Sequence, residues 1–414
     1  MAATSYPRFL EARLLESVAD TPATLIHGPR QCGKTTFVKA FAAAHNYRYV
    51  TFDDNDQVQA ALDDPIGYVD RLGTLVVLDE VQRVPHLFTT LKAAIDNDRT
   101  PGRYVMTGSA NVLMVPTLAD SLAGRLGTLR MYPLAQSEIR GTTPQFLHQL
   151  FTGAFTPQPA ERLGLDLVAR VARGGYPEAL ARSPHRAAEF LRDHIDTQIQ
   201  RDVRSLAQVR SLKTTPAILR QVAAYTAEFA NVSRLASDVG VKRETVDEHL
   251  ALLEHIFVID RLPAWSRSEA KRAAKTPKLH IADTGMGAAL LERDVEDLSS
   301  DRTYFGHLLE SFVLAELRAQ ASWHDRRTSF HHFRDANQNE VDIVLERGPN
   351  RIAGIEVKAA SVVGPKDFRG LRKLRDITGD SFKGGAVLYD GTVGYRHDDN
   401  LWALPISMLW GASE

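Results

Sequence analysis

The chain has 414 residues, of which 44% are hydrophobic and 24% charged, a composition that fits globular domains and excludes disorder. Fifty Lys and Arg against 51 Asp and Glu leave a formal charge of −1, which excludes a uniformly basic coat for nucleic acid. One cysteine, Cys32, excludes a disulfide scaffold and a cysteine-built zinc site. No stretch of about 18 uncharged apolar residues occurs, and no apolar leader opens the chain, so the expectation is a soluble, cytoplasmic protein without a membrane partner.

In chain order, Phe9, Leu10, Leu14, Leu15 and Val18 recur at helical spacing. Short apolar runs then alternate with helical stretches: 24–27, 47–52, 74–79, 103–107 and 128–134. Such alternation predicts a mostly parallel, doubly wound sheet. From Gln136 to Glu228 the pattern is helical, interrupted at 153–159 and at Gly174-Gly175-Tyr176-Pro177. Residues 233–250 read as helix, glycine turn, helix, with a hairpin between Phe257 and Ile281. A helix beginning near Tyr304 leads into strands at 341–345, 352–358 and 385–389. The expected organisation is α/β multidomain: a nucleotide domain at 1–135, a helical lid at 136–229, a winged-helix-like module at 230–300 and a further α/β domain at 301–414.

Gly28-Pro29-Arg30-Gln31-Cys32-Gly33-Lys34-Thr35 completes the Gly-x4-Gly-Lys-Thr pattern between a strand and a helix that continues through Thr36. Its glycines let backbone N–H groups and a helix N-terminus face phosphates. Lys34 can reach the β- and γ-phosphates of ATP, and the Thr35 hydroxyl can ligate Mg2+. Cys32 reads as a small loop residue, since no base is placed beside it. The apolar run 75–78 ends in Asp79-Glu80, which suits a Mg2+ ligand followed by the carboxylate that polarises attacking water. Beyond the next strand, Ser109 is the first candidate for a polar group between these acids and the γ-phosphate, with Thr107 and Asn111 behind it. Arg125 is open to two readings, a solvated arginine or a finger reaching the nucleotide of a neighbouring copy in a homo-oligomer.

Farther on, Arg261, Arg267, Lys271, Arg272, Lys275 and Lys278 face one acid, Glu269, across the hairpin. That excess suits DNA phosphates. The helix before it carries Glu244, Asp247, Glu248 and Glu254, which argues against base readout and leaves protein packing open. Asp342 on one strand and Glu356-x-Lys358 on the next form the pattern of restriction-endonuclease-like, PD-(D/E)xK enzymes. There the two acids would hold a second Mg2+ and Lys358 would activate water. His331 and His332 read as a solvated loop pair.

These motifs, together with Leu78–Gln82, Ser121–Arg125, Pro133-Leu134, Gly174–Pro177 and Asp283-Thr284-Gly285, resemble bacterial and archaeal AAA+ -type ATPases that end in a domain of nuclease-like fold. The resemblance implies a P-loop ATPase core, a helical lid, a winged-helix-like module and a nuclease-like C-terminal domain. It also implies Glu310 as a further acid of the second metal site. Two functions remain open: an ATP-driven enzyme acting on DNA, and a nucleotide-gated regulatory or partner-binding protein with a silent nuclease-like domain.

Overall fold

The computed structural model describes residues 6–109, 124–203, 214–324 and 326–411. The side chains of Asp202, Val203, Glu269, Lys271 and Ala274 also lie outside the description. The chain divides into two compact units, residues 7–133 with 255–257, and the remainder. The segments expected as lid, module and C-terminal domain therefore share one compact unit.

The first unit holds five parallel strands: β1 (Ala23–His27), β2 (Arg48–Thr51), β3 (Val76–Asp79), β4 (Tyr104–Gly108) and β5 (Leu126–Arg130). Their order is β2-β3-β4-β1-β5. Both faces are covered, and strand alternation sends neighbouring residues to opposite sides. Leu25, Val76, Leu78, Tyr104 and Met106 join one core with Phe52, Phe88 and Leu91. Ile26, Val77 and Val105 join the other with Leu10, Leu14, Phe37 and Phe41. The apolar runs read as strands thus recur within a few residues of their expected ends. The fifth is the exception, because its strand stops at Arg130.

The second unit contains a seven-stranded sheet ordered β10-β11-β12-β13-β15-β14-β6. Its strands are β6 (Gln158–Pro159), β10 (Ser329–Arg334), β11 (Glu340–Glu346), β12 (Ile352–Lys358), β13 (Phe382–Tyr389), β14 (Val393–Asp398) and β15 (Leu401–Pro405). Pairing is parallel at β12–β13 and β13–β15 and antiparallel elsewhere. A separate antiparallel sheet, β7-β9-β8, combines β7 (Glu228–Phe229), β8 (Ile259–Leu262) and β9 (Lys278–Ile281). Before β8 come the helices Val232–Val239 and Arg243–His255, separated by Gly240 at φ 75°. The link from β8 to β9 carries a short helix, Glu269–Ala274, where an open hairpin tip was expected.

His331 and His332 correct the sequence reading. They lie buried in β10, and burial lowers each imidazole to a pKa of about 4, so both are neutral. Ser-Phe-His-His-Phe-Arg lacks apolar alternation, so the strand was not legible.

Two motifs without an evident chemical role prove to be one lock. Asp283 is buried and accepts hydrogen bonds from Gly175 N at 2.8 Å and Met286 N at 3.0 Å. Gly174 lies at φ 68°, ψ −159°, in a region open essentially to glycine alone. A Cβ there would stand 2.2 Å from Asp283 Oδ1. The carbonyl of Gly175 in turn accepts from Leu134 N at 2.8 Å, fixing the chain where the second unit begins.

Candidate nucleotide site

The loop after β1 is shaped by close backbone approach. A Cβ on Gly28 would meet the Met131 carbonyl oxygen at 2.1 Å, so only glycine passes here. Gln31 takes φ 58°, and Gly33, at φ 103°, caps the helix Lys34–His45. That N-terminus opens toward the loop, the arrangement that favours anions. Lys34 is buried, and its ammonium donates to Gly28 O at 3.0 Å and Pro29 O at 2.7 Å. An ammonium has three donors, so one remains for a phosphate oxygen. Burial, then Arg130 and Lys34, lower the His27 pKa to about 4, which keeps the imidazole before Gly28 neutral. Cys32 is buried, with its sulfur 3.9 Å from the Met131 carbonyl, consistent with a packing role. Thr36 is exposed at the start of the helix, and Pro29 and Arg30 complete the loop.

Asp79, at the end of β3, is fully buried and accepts from three hydroxyls. Thr35 donates to Oδ2 at 2.9 Å, Tyr49 to Oδ2 at 2.7 Å and Thr107 to Oδ1. Burial, then the bond to Asp79, raises the Tyr49 pKa above its ordinary value. The hydroxyl and carboxylate oxygens of Thr35 and Asp79 form the hard donor set that suits Mg2+.

Glu80 adopts φ 61°, ψ 43°, a left-handed conformation that costs a non-glycine residue about 1–2 kcal/mol. Its N–H donates to Thr107 Oγ1 at 3.0 Å. Its carboxylate accepts from Gln82 Nε2 and, at 3.3 Å, from Ser109 Oγ. Gln82 Nε2 also donates to Ser109 Oγ at 2.8 Å. The two polar candidates at the carboxyl end of β4 therefore meet different carboxylates: Thr107 donates to Asp79, and Ser109 donates to Glu80. Asn111 and the segment 121–123 lie outside the described residues. Arg125 stands apart from this constellation, with Nε 2.5 Å and Nη2 3.0 Å from the Asp96 carboxylate.

Residues 20–140 match the AAA domain model. Residues 164–297 and 305–409 match two further models, each described as a domain of unknown function. Uncharacterized proteins of Mycobacterium tuberculosis and Mycobacterium bovis are each 28% identical over 401 residues, which cover 96% of this chain and 83% of theirs. Among solved structures, the chain is similar to a Walker-type ATPase of Pyrococcus abyssi at 17% identity and TM-score 0.44, covering 69% of this chain and 96% of that one. It is also similar to the RuvB Holliday junction branch migration motor of Thermotoga maritima at 17% identity and TM-score 0.30, covering 61% and 89%. The AAA match agrees with the parallel five-stranded sheet and with the phosphate loop at its carboxyl edge.

The C-terminal carboxylates gather around a residue that the sequence reading placed elsewhere. Lys278, on β9, is buried, and its ammonium lies 2.9 Å from Glu310, 2.7 Å from Glu340 and 3.4 Å from Asp342. Glu356 pairs with Lys358 at 2.7 Å, as their shared strand face allows. Asp342 Oδ2 accepts from Val357 N at 2.9 Å, which ties β11 to β12. Burial, then Asp342, push Glu310 well above the usual carboxylate range and raise Glu356 to about 8. Burial opposes the charge on Lys278, but Glu310, Asp342 and Glu340 outweigh it and raise its pKa. Among the described residues, no three His, Cys, Asp or Glu side chains are arranged to hold a metal ion.

The basic hairpin is also corrected. Of its six cations, Lys278 is buried, Arg272 forms a two-pronged pair with Glu346 at 2.7 and 3.1 Å, and Arg261 stands 3.3 Å from Glu254. Exposed Arg267 and Lys275 donate to the carbonyls of Ile377 and Arg334. The Lys271 side chain lies outside the described residues. Apart from Glu254, the neutralising acids Glu310, Glu340, Asp342 and Glu346 lie 32 or more positions later in the chain than the cations they meet, beyond any local charge count. Among the described residues, no helix is long and apolar enough to cross a membrane.

Sequence reasoning gave no role to Tyr49, Gln82, Glu340 or the buried side of Lys278. Gln82 carried a signal, lying two residues past the acid pair. So did Lys278, which alternates with His280 in an otherwise apolar strand.

Proposed function

We propose that the chain is a Mg2+-dependent ATPase whose hydrolysis cycle rearranges its C-terminal unit, and that this unit engages a partner without cutting it. The observation that carries the ATPase reading is a pair of neighbouring hydrogen-bond relays, Thr35–Asp79–Thr107, which starts in the phosphate loop, and Glu80–Ser109–Gln82, which begins at the next residue after Asp79. In this reading Lys34 turns its remaining N–H to a γ-phosphate oxygen. Thr35 and Asp79 would hold Mg2+, which neutralises charge on the β- and γ-phosphates when bound. Glu80 takes a proton from the attacking water, while Ser109 and Gln82 fix its carboxylate. Arg125 acts only where a second copy of the chain supplies the nucleotide, and it would have to leave Asp96.

We read residues 230–300 as a winged-helix-like module and 301–414 as nuclease-like. Helix, glycine turn, helix and the β8–β9 hairpin support the first; Asp342 on β11 beside Glu356 and Lys358 on β12 supports the second. Partner engagement is favoured over DNA readout because five of the six hairpin cations named above are buried, ion-paired or bonded to backbone, and the adjacent helix is acidic.

Glu80→Gln tests the ATPase reading. The variant should bind ATP as the wild type does and hydrolyse it ~10²-fold or more slowly, the usual worth of a positioned base. Wild-type turnover would move the base elsewhere.

A further inference from the structure

The pattern Asp342, Glu356-x-Lys358 with Glu310 implies a divalent metal, yet the side chains around these acids do not fit one. Lys278 brings a permanent cation into the group. Its three N–H donors meet three carboxylates, those of Glu310, Glu340 and Asp342, within 3.4 Å, which uses the full donor capacity of an ammonium. The fit is fixed from several sides. Lys278 is held in β9, flanked by β7 and β8, and its ammonium lies 5.7 Å from the centre of the Phe229 ring. Glu310 comes from the helix Arg302–Ser322, and Glu340 and Asp342 come from β11. Glu356 is drawn away toward Lys358, and its Oε2 is buried without a hydrogen-bond partner among the described residues. A divalent ion would need to share this space with a buried positive charge that repels it.

We propose that the Lys278 ammonium is a built-in replacement for the divalent cation, so that the nuclease-like domain neither binds catalytic metal nor cleaves nucleic acid. The ion cluster instead pins the β7-β9-β8 sheet to the helix Arg302–Ser322 and to β11. Removing a buried partner from such a cluster leaves uncompensated carboxylates, which then recruit a cation from solution. This replacement rests on the nuclease-like reading of residues 301–414 and does not depend on ATP hydrolysis.

The experiment uses full-length, nucleotide-free protein carrying Lys34→Ala, so that no nucleotide brings metal to the phosphate loop; any Mn2+ held there by Thr35 and Asp79 survives Asp342→Asn and is told apart by it. Mn2+ binding is read by calorimetry, and nicking of supercoiled DNA is followed with Mn2+ or Mg2+ present. The parent should show no Mn2+ site that Asp342→Asn removes and no nicking. Adding Lys278→Met, close in volume and uncharged, should create one Mn2+ site per chain at least ~10-fold tighter than anything in the parent. It should also make thermal stability rise with Mn2+. A parent that binds Mn2+ or nicks DNA, with either signal lost on Asp342→Asn, would overturn the proposal. So would a folded Lys278→Met protein that gains no site. If Lys278→Met does not fold, the parent measurement decides alone: a site removed by Asp342→Asn refutes the replacement, and its absence supports it.

Discussion

Glu316 carries a testable consequence at the root of the second unit. Its carboxylate is buried on the helix Arg302–Ser322 and accepts the Gln136 N–H at 2.8 and 3.1 Å. Burial is the main cause that raises its pKa to about 8, with Glu138 adding repulsion. A folded-state value above the unfolded one means that stability is fully present below about pH 4.5 and is lost as pH rises through about 8. Over that window the linkage amounts to ~5 kcal/mol at most, and to about half of that once local relaxation admits water. Glu316→Gln keeps an oxygen for Gln136 and removes the titration. Thermal melts of both proteins between pH 5 and pH 9 should therefore diverge. The wild type should lose several degrees relative to the variant, most steeply at about pH 5.5–7 and levelling off above about pH 8. Parallel profiles would refute the buried neutral carboxyl, and a variant less stable throughout would point to an ionised Glu316 that the backbone N–H stabilises.

Two further outcomes follow from the same geometry. Gly174→Ala should destabilise the second unit by ~3 kcal/mol or more, through forbidden backbone and contact with Asp283; an unchanged urea midpoint would dissolve the lock. Tyr49→Phe removes one of three hydroxyl donors to buried Asp79 and should cost ~1.5–3 kcal/mol in nucleotide-free protein, read as a lower melting temperature. An unaltered melt would mean that Thr35 and Thr107 alone satisfy the carboxylate.

The phosphate loop, the acid pair and the alternation of strands and helices were legible because each is local. Eight consecutive residues encode the loop, and a strand that ends in Asp79-Glu80 announces its own chemistry. Alternation likewise located β11 and β12 and placed Glu356 beside Lys358. Other features depend on which elements the fold brings side by side. Tyr49 reaches Asp79 because β2 pairs with β3, 30 residues away. Thr107 and Ser109 take separate partners because β4 lies beside β3 and carries them to its carboxyl end. Lys278 counted as one more cation of a basic hairpin until β9 set it against acids 32 to 64 positions later. A charge is attractive or screened according to its spatial neighbours, and the sequence orders only its chain neighbours. The composition of each charged cluster was therefore written in the sequence, but only tertiary packing decided whether it faced a ligand or closed upon itself.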